Sequence, residues 1–127
     1  ILHDPDDLFQ WKLLPPSSTF FHMAGPDGEY NLKFVSADGH LEAVYNRAGV
    51  LLTQYNNPEN MGTFNYADPD TNLKQHSIFD VMPYLSWRNT PDSPPLGENI
   101  QQDAKAKFES NLGAKEHYEQ YRKLLEK

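Results

Sequence analysis

Two histidine–carboxylate pairs in this 127-residue chain have the residue types and spacing for proton transfer. His40 and Glu42 are two apart in an alternating apolar–polar stretch, so on a strand both project from one sheet face. His76 and Asp80 are four apart in a stretch of helical character, one turn apart on one face. Histidine titrates near neutrality, and a carboxylate beside it can orient its tautomer or share its proton. Such groups can carry metal-independent RNA cleavage. One takes the 2′-hydroxyl proton, the other protonates the leaving oxygen, and a cation stabilises the phosphorane. Lys33 and Arg47 are the available cations, and Thr63 and Tyr66 in Gly62-Thr-Phe-Asn-Tyr66 supply hydroxyls suited to an oxyanion or phosphate. The candidate catalytic residues are therefore His40, Glu42, His76 and Asp80, with Lys33, Arg47, Thr63 and Tyr66 as candidate substrate-binding residues.

Each group also has an ordinary structural explanation. On spacing alone, His40 and Glu42 fit the solvated face of a half-exposed hairpin, and His76 and Asp80 fit an ion pair on a helix surface. A strand with Phe64 facing the core accounts for residues 62–66 equally well. His22 and His117 have no evident partners, and the acidic run at 3–7 reads as solvated. No HExxH or comparable ligand spacing occurs, cysteine is absent, and P-loop, Rossmann and Gly-x-Ser-x-Gly patterns are missing. No metal and no cofactor are expected.

The element that must position the first pair is a β-hairpin. Residues 30–36 alternate, Asp38-Gly39 supplies the dipeptide of a tight type I′ turn, and residues 41–45 return. That turn pairs 37 with 40, 35 with 42 and 33 with 44. Tyr30, Leu32, Phe34, Leu41, Ala43 and Tyr45 then form a core face, and Asn31, Lys33, Val35, His40, Glu42, Val44 and Asn46 the opposite one. Residues 50–55 read as a third strand and 62–66 as a short fourth. Residues 73–82 read as a helix that ends at Pro83. Before the hairpin, residues 1–29 form an irregular lead in which 8–14 suit one or two helical turns before Pro15-Pro16. After it, residues 90–97 make a proline-rich linker. Residues 98–127 form two charged helical stretches separated by Gly113, a solvated pair with a docking stripe. The fold class is α+β: an antiparallel meander of three or four strands, one packed helix and a C-terminal helical pair. Residues 1–89 make up the compact domain.

Charge narrows the function. The chain carries a formal net charge of −7, and hydrophobic residues make up 38% of it, enough for one modest core. Residues 98–127 hold six acids and six bases, so the first 97 residues hold twelve acids and five bases. That balance weighs against a phosphate-tracking DNA-binding module, and no DNA-binding signature is present. No apolar stretch is long enough for a membrane span, and the start at Ile1 has neither a basic nor a long apolar region of a signal peptide. The missing initiator Met suggests an excised piece of something longer.

Three tracts together resemble a known class: Asp38-Gly-His-Leu-Glu-Ala-Val-Tyr-Asn46, Asn60-Met-Gly-Thr-Phe-Asn-Tyr66, and His76-x-x-x-Asp80-Val-x-Pro-Tyr84 running to Trp87-Arg-Asn89. They are similar to the variable C-terminal toxin modules of bacterial polymorphic toxins, the Rhs-type and contact-dependent effectors. The similarity spans about residues 30–89 and not the helical tail. It implies an antibacterial effector domain released from a larger secreted protein, acting in the cytoplasm of the target cell and neutralised by a cognate immunity protein. Many such modules are compact α+β ribonucleases, which implies acid–base roles for His40 and Glu42, with His76 and Asp80 as a second pair, and RNA or a nucleotide as substrate. The acidic balance departs from the typically basic ribonuclease toxins, and a small-molecule, cell-wall or lipid substrate meets less electrostatic objection. The competing class is a non-enzymatic acidic binding module, such as an immunity or adaptor protein that covers a basic partner.

Overall fold

The computed structural model describes residues 11–37, 39, 41–53, 55–57, 74, 77, 78, 82, 86 and 98–126. The sheet is antiparallel with strand order β1-β2-β3, from β1 (Trp11–Leu13), β2 (Leu32–Ser36) and β3 (Glu42–Tyr45). Three single 3-10 turns, Pro16–Ser18, Phe20–His22 and Gly28–Tyr30, carry the chain from β1 to β2. Among the described residues two further helices, α1 (Glu98–Ser110) and α2 (Leu112–Leu125), join the sheet in an α+β architecture.

The hairpin has the register expected from its alternation and turn: Lys33 lies opposite Val44, and Val35 opposite Glu42. Ser36 N–H donates to the Leu41 carbonyl at 2.8 Å, and Gly39 takes a φ of 74°, the left-handed conformation that a residue without Cβ adopts readily. Leu41 departs from the expected core face and is half exposed, because it sits outside β3 at the mouth of the turn.

Two further expectations are corrected. The segment at 8–14 reads as helical turns, yet Trp11–Leu13 is a strand that pairs with β2, Trp11 opposite Ser36 and Leu13 opposite Phe34. The free edge of β2 supplies hydrogen bonds that two helical turns before a Pro-Pro stop cannot match. The stretch at 50–55 forms no strand among its described residues. It is held to β3 by a single Tyr45–Leu51 bridge and by Leu52 N–H donating to the Val44 carbonyl at 2.8 Å.

The helical pair is part of the core and not a solvated tail. Leu32, Phe34 and Tyr45 on one sheet face pack with Tyr118, Tyr121 and Leu125 of α2, and with Trp11 and Leu13 of β1. The Phe34 and Tyr45 rings meet edge to face at 5.8 Å. A second cluster joins Phe20 and Met23 to Ala104 and Phe108 of α1 and Ala114 of α2, and Tyr118 touches both clusters. Burying such side chains contributes about 1.5–3 kcal/mol each. The helices break at Asn111 and not at Gly113. Asn111 takes an extended backbone, and its side chain accepts from Ala114 N–H at 3.2 Å, capping α2. Gly113 lies inside α2, where an added Cβ would stand 2.7 Å from the Tyr30 hydroxyl. Glycine there allows the first turn of α2 to lie against Tyr30.

Candidate functional site

The hairpin face that carries Lys33 and Glu42 is not solvated. Asn31, Lys33, Val35, Glu42 and Val44 are all buried. Leu14 and Leu52, also buried, hydrogen-bond through their N–H groups to the Lys33 and Val44 carbonyls, so the sheet has neighbours at both edges of this face. The solvated-face alternative for Glu42 is therefore corrected: the sheet is covered on both sides. In that setting Lys33 and Glu42, diagonal across β2 and β3, form an ion pair with Nζ 3.0 Å from Oε1. Their side chains are 3% and 0% exposed. Lys33 Nζ also donates to the Ser18 carbonyl at 3.2 Å, which ties the first 3-10 turn to the sheet.

This geometry constrains the chemistry open to the pair. A carboxylate with no exposed side-chain surface and a lysine 3.0 Å away cannot exchange a proton directly with a substrate arriving from solvent. It can fix the register and the start of β3, the strand that follows His40. His40, His76, Asp80, Thr63 and Tyr66 lie outside the described residues, as do the expected strand at 62–66, most of the expected helix at 73–82 and the linker at 90–97.

Arg47 is the third nominated residue whose place is described. It stands on an exposed turn that Asn46 organises. The Asn46 side-chain oxygen accepts from Ala48 N–H at 3.0 Å and from Val50 N–H at 2.9 Å, and Gly49 closes the turn with a φ of 79°. The guanidinium carbon lies 4.1 Å from the centroid of the Tyr30 ring, in cation–π contact.

Around that ring the structure gathers residues that sequence spacing alone does not nominate. His117 of α2 meets Tyr30 edge to face at 5.7 Å and Tyr121, one turn further along α2, at 5.1 Å. Its Nε2 is buried and has no hydrogen-bond partner among the described residues. Burial and, secondarily, the Arg47 charge hold the His117 pKa below the ordinary histidine value, so the ring is neutral at neutral pH. The available signal was the i, i+4 spacing of His117 and Tyr121. Nothing local in the sequence joins that pair to Tyr30 and Arg47.

Beside this cluster an open groove of about 680 Å³ runs between the turn at Gly25–Glu29 and the α1–α2 junction, lined among others by Asp27, Glu29, Lys107 and Ser110. Asn111 reaches Glu29 across it at 3.2 Å. Among the described residues no group of three or more histidines and carboxylates is placed to hold a metal ion, and no helix is long and apolar enough to cross a membrane. The chain matches no protein-family model, no curated protein and no solved structure. Fold and site together define a small α+β domain, a three-stranded antiparallel sheet backed by two helices with an ion pair sealed inside it.

Proposed function

We propose that this chain is an antibacterial effector domain, a toxin module carried by a larger secreted protein, which acts in the target cell as a metal-independent hydrolase or ribonuclease. The observation that carries the reading is the buried Lys33–Glu42 pair. Desolvating two charges costs several kcal/mol per ion, roughly offset by their attraction, so a buried pair adds little net stability compared with apolar residues. This one lies two residues along the chain from His40. In the proposed mechanism Glu42 positions the start of β3 and does not move the proton. His40 and the His76–Asp80 pair carry the acid–base steps, Thr63 and Tyr66 contact substrate, and a cognate immunity protein blocks the site in the producing cell.

The test is turnover. The purified chain is incubated with total bacterial RNA, and separately with free nucleotides, beside His40→Ala and His76→Ala variants that keep the parent's spectrum of folded structure. The reading expects cleavage by the parent and a loss of about a hundredfold or more in either variant. Intact substrate in every reaction counts against it.

The second reading is a non-enzymatic acidic binding module, favoured by the net charge of −7, which resides entirely in the first 97 residues. It expects no turnover, and a complex with a basic partner that weakens as salt screens the charges.

A further inference from the structure

We propose that Arg47 and His117 form a binding site for a phosphate-type oxyanion, with the Tyr30 ring as the platform between them. The inference takes the identity of its ligand, the phosphate group of a nucleotide or RNA substrate, from the hydrolase reading. Its geometry uses none of His40, His76 or Asp80.

The ion pairs among the described residues join Lys33 to Glu42, Lys105 to Glu109, and Arg122 to Glu119 and Glu126. Neither Arg47 nor His117 belongs to one. In a chain with seven more acids than bases, Arg47 is a guanidinium with no carboxylate paired to it among the described residues, and it shares one aromatic ring with an imidazole that can donate a hydrogen bond. The groups that face His117 are Arg47 from the turn after β3, Tyr30 from the third 3-10 turn, and Tyr121 from α2 itself. Glu29, the acid next to Tyr30, accepts a hydrogen bond from Asn111.

Orientation supports the same conclusion. The guanidinium rests 4.1 Å from the Tyr30 centroid, so the ring occupies one of its faces and its N–H fork remains available at the edge. The turn that carries Arg47 is braced by two hydrogen bonds to Asn46, which lowers the ordering cost of binding. Because His117 Nε2 is buried, a ligand from solvent must meet Nδ1. A carboxylate would use both its oxygens on the arginine fork. A phosphate keeps a third oxygen for the imidazole, which selects phosphate between the two anions. The neutral ring suits this role: Nδ1–H donates to the third phosphate oxygen while the buried Nε2 stays unprotonated.

The experiment follows the His117 ring resonances of the full chain by NMR during titration with inorganic phosphate, and with sodium chloride at matched ionic strength. Adenosine 5′-monophosphate forms a third arm that separates a nucleotide ligand from free phosphate. The proposal expects a saturable shift with phosphate and not with chloride, and binding of the nucleotide at least as tight as that of phosphate. Arg47→Gln, at an exposed turn, should keep the fold and weaken binding by about tenfold or more, while Arg47→Lys should retain part of it. Equal responses to phosphate and chloride, or a phosphate response unchanged in Arg47→Gln, would overturn the site. Phosphate binding by a chain that turns over no substrate would keep the site and remove the hydrolase reading; turnover with no phosphate response here would do the reverse.

Discussion

Removing either partner of the Lys33–Glu42 pair should damage the fold far more than removing both. Lys33→Met leaves the Glu42 carboxylate with 0% of its side chain exposed and without the ammonium 3.0 Å away; Glu42→Leu strands the ammonium at 3% exposure. A buried charge stripped of its partner costs about 3–5 kcal/mol. Against a total of about 5–15 kcal/mol for a domain of this size, that is about a fifth of the stability or more. At about 3–5 °C per kcal/mol, the melting temperature should fall by about 9–25 °C. The Lys33→Met, Glu42→Leu double variant fills similar volume with apolar atoms and removes both desolvation terms. It should lie within about 1–2 kcal/mol of the parent, less the hydrogen bond from Lys33 to Ser18, worth about 1 kcal/mol. The assay is a double-mutant cycle by urea unfolding, with slopes compared to exclude a change in compactness. A coupling energy of about 3 kcal/mol or more is expected. Single variants that each lose less than about 1 kcal/mol, with additive effects, would refute the claim that the pair is sealed from water.

The α1–α2 junction gives two further predictions. Gly113→Ala places a methyl group 2.7 Å from the Tyr30 hydroxyl; overpacking of about 1–3 kcal/mol, offset by about 1 kcal/mol of helix propensity gained, should leave a net loss of about 0–2 kcal/mol by thermal unfolding, with the Tyr30 ring displaced from α2. Asn111→Ala removes both the cap on Ala114 N–H and the contact with Glu29. It should cost about 1 kcal/mol, with hydrogen exchange accelerated in the first turn of α2 and little changed in β2.

How much of this could be read beforehand differs from element to element. The hairpin register was legible because two independent signals agreed: the Asp38-Gly39 turn fixes which residues pair, and the apolar alternation on both strands fixes which face is buried. Burial of the second face was not legible. Polar residues at 31, 33 and 42 read as solvent-facing, and only the tertiary structure shows that Lys33 and Glu42 neutralise each other while Asn31 donates to the His22 carbonyl at 2.8 Å. Strand β1 was hidden because three residues carry too little periodicity to separate a strand from a helical turn; the edge of β2 decides. Gly113 reads in the sequence as a helix break because glycine usually terminates helices. Here the close approach of Tyr30 demands it within α2, and the Asn111 cap marks the boundary. For the site, Arg47 was nominated as a cation near the hairpin, but its partners Tyr30 and His117 lie 17 and 70 residues away in sequence, beyond the reach of any spacing argument.

The central claim, that the chain is a toxic effector domain, is tested most directly by growth of bacteria that express it in the cytosol, beside His40→Ala and His76→Ala versions at matched abundance. The account predicts growth arrest by the parent chain, relieved by at least one of the two substitutions. Normal growth with all three chains, both in the cytosol and after export of the same chains to the periplasm, would contradict it.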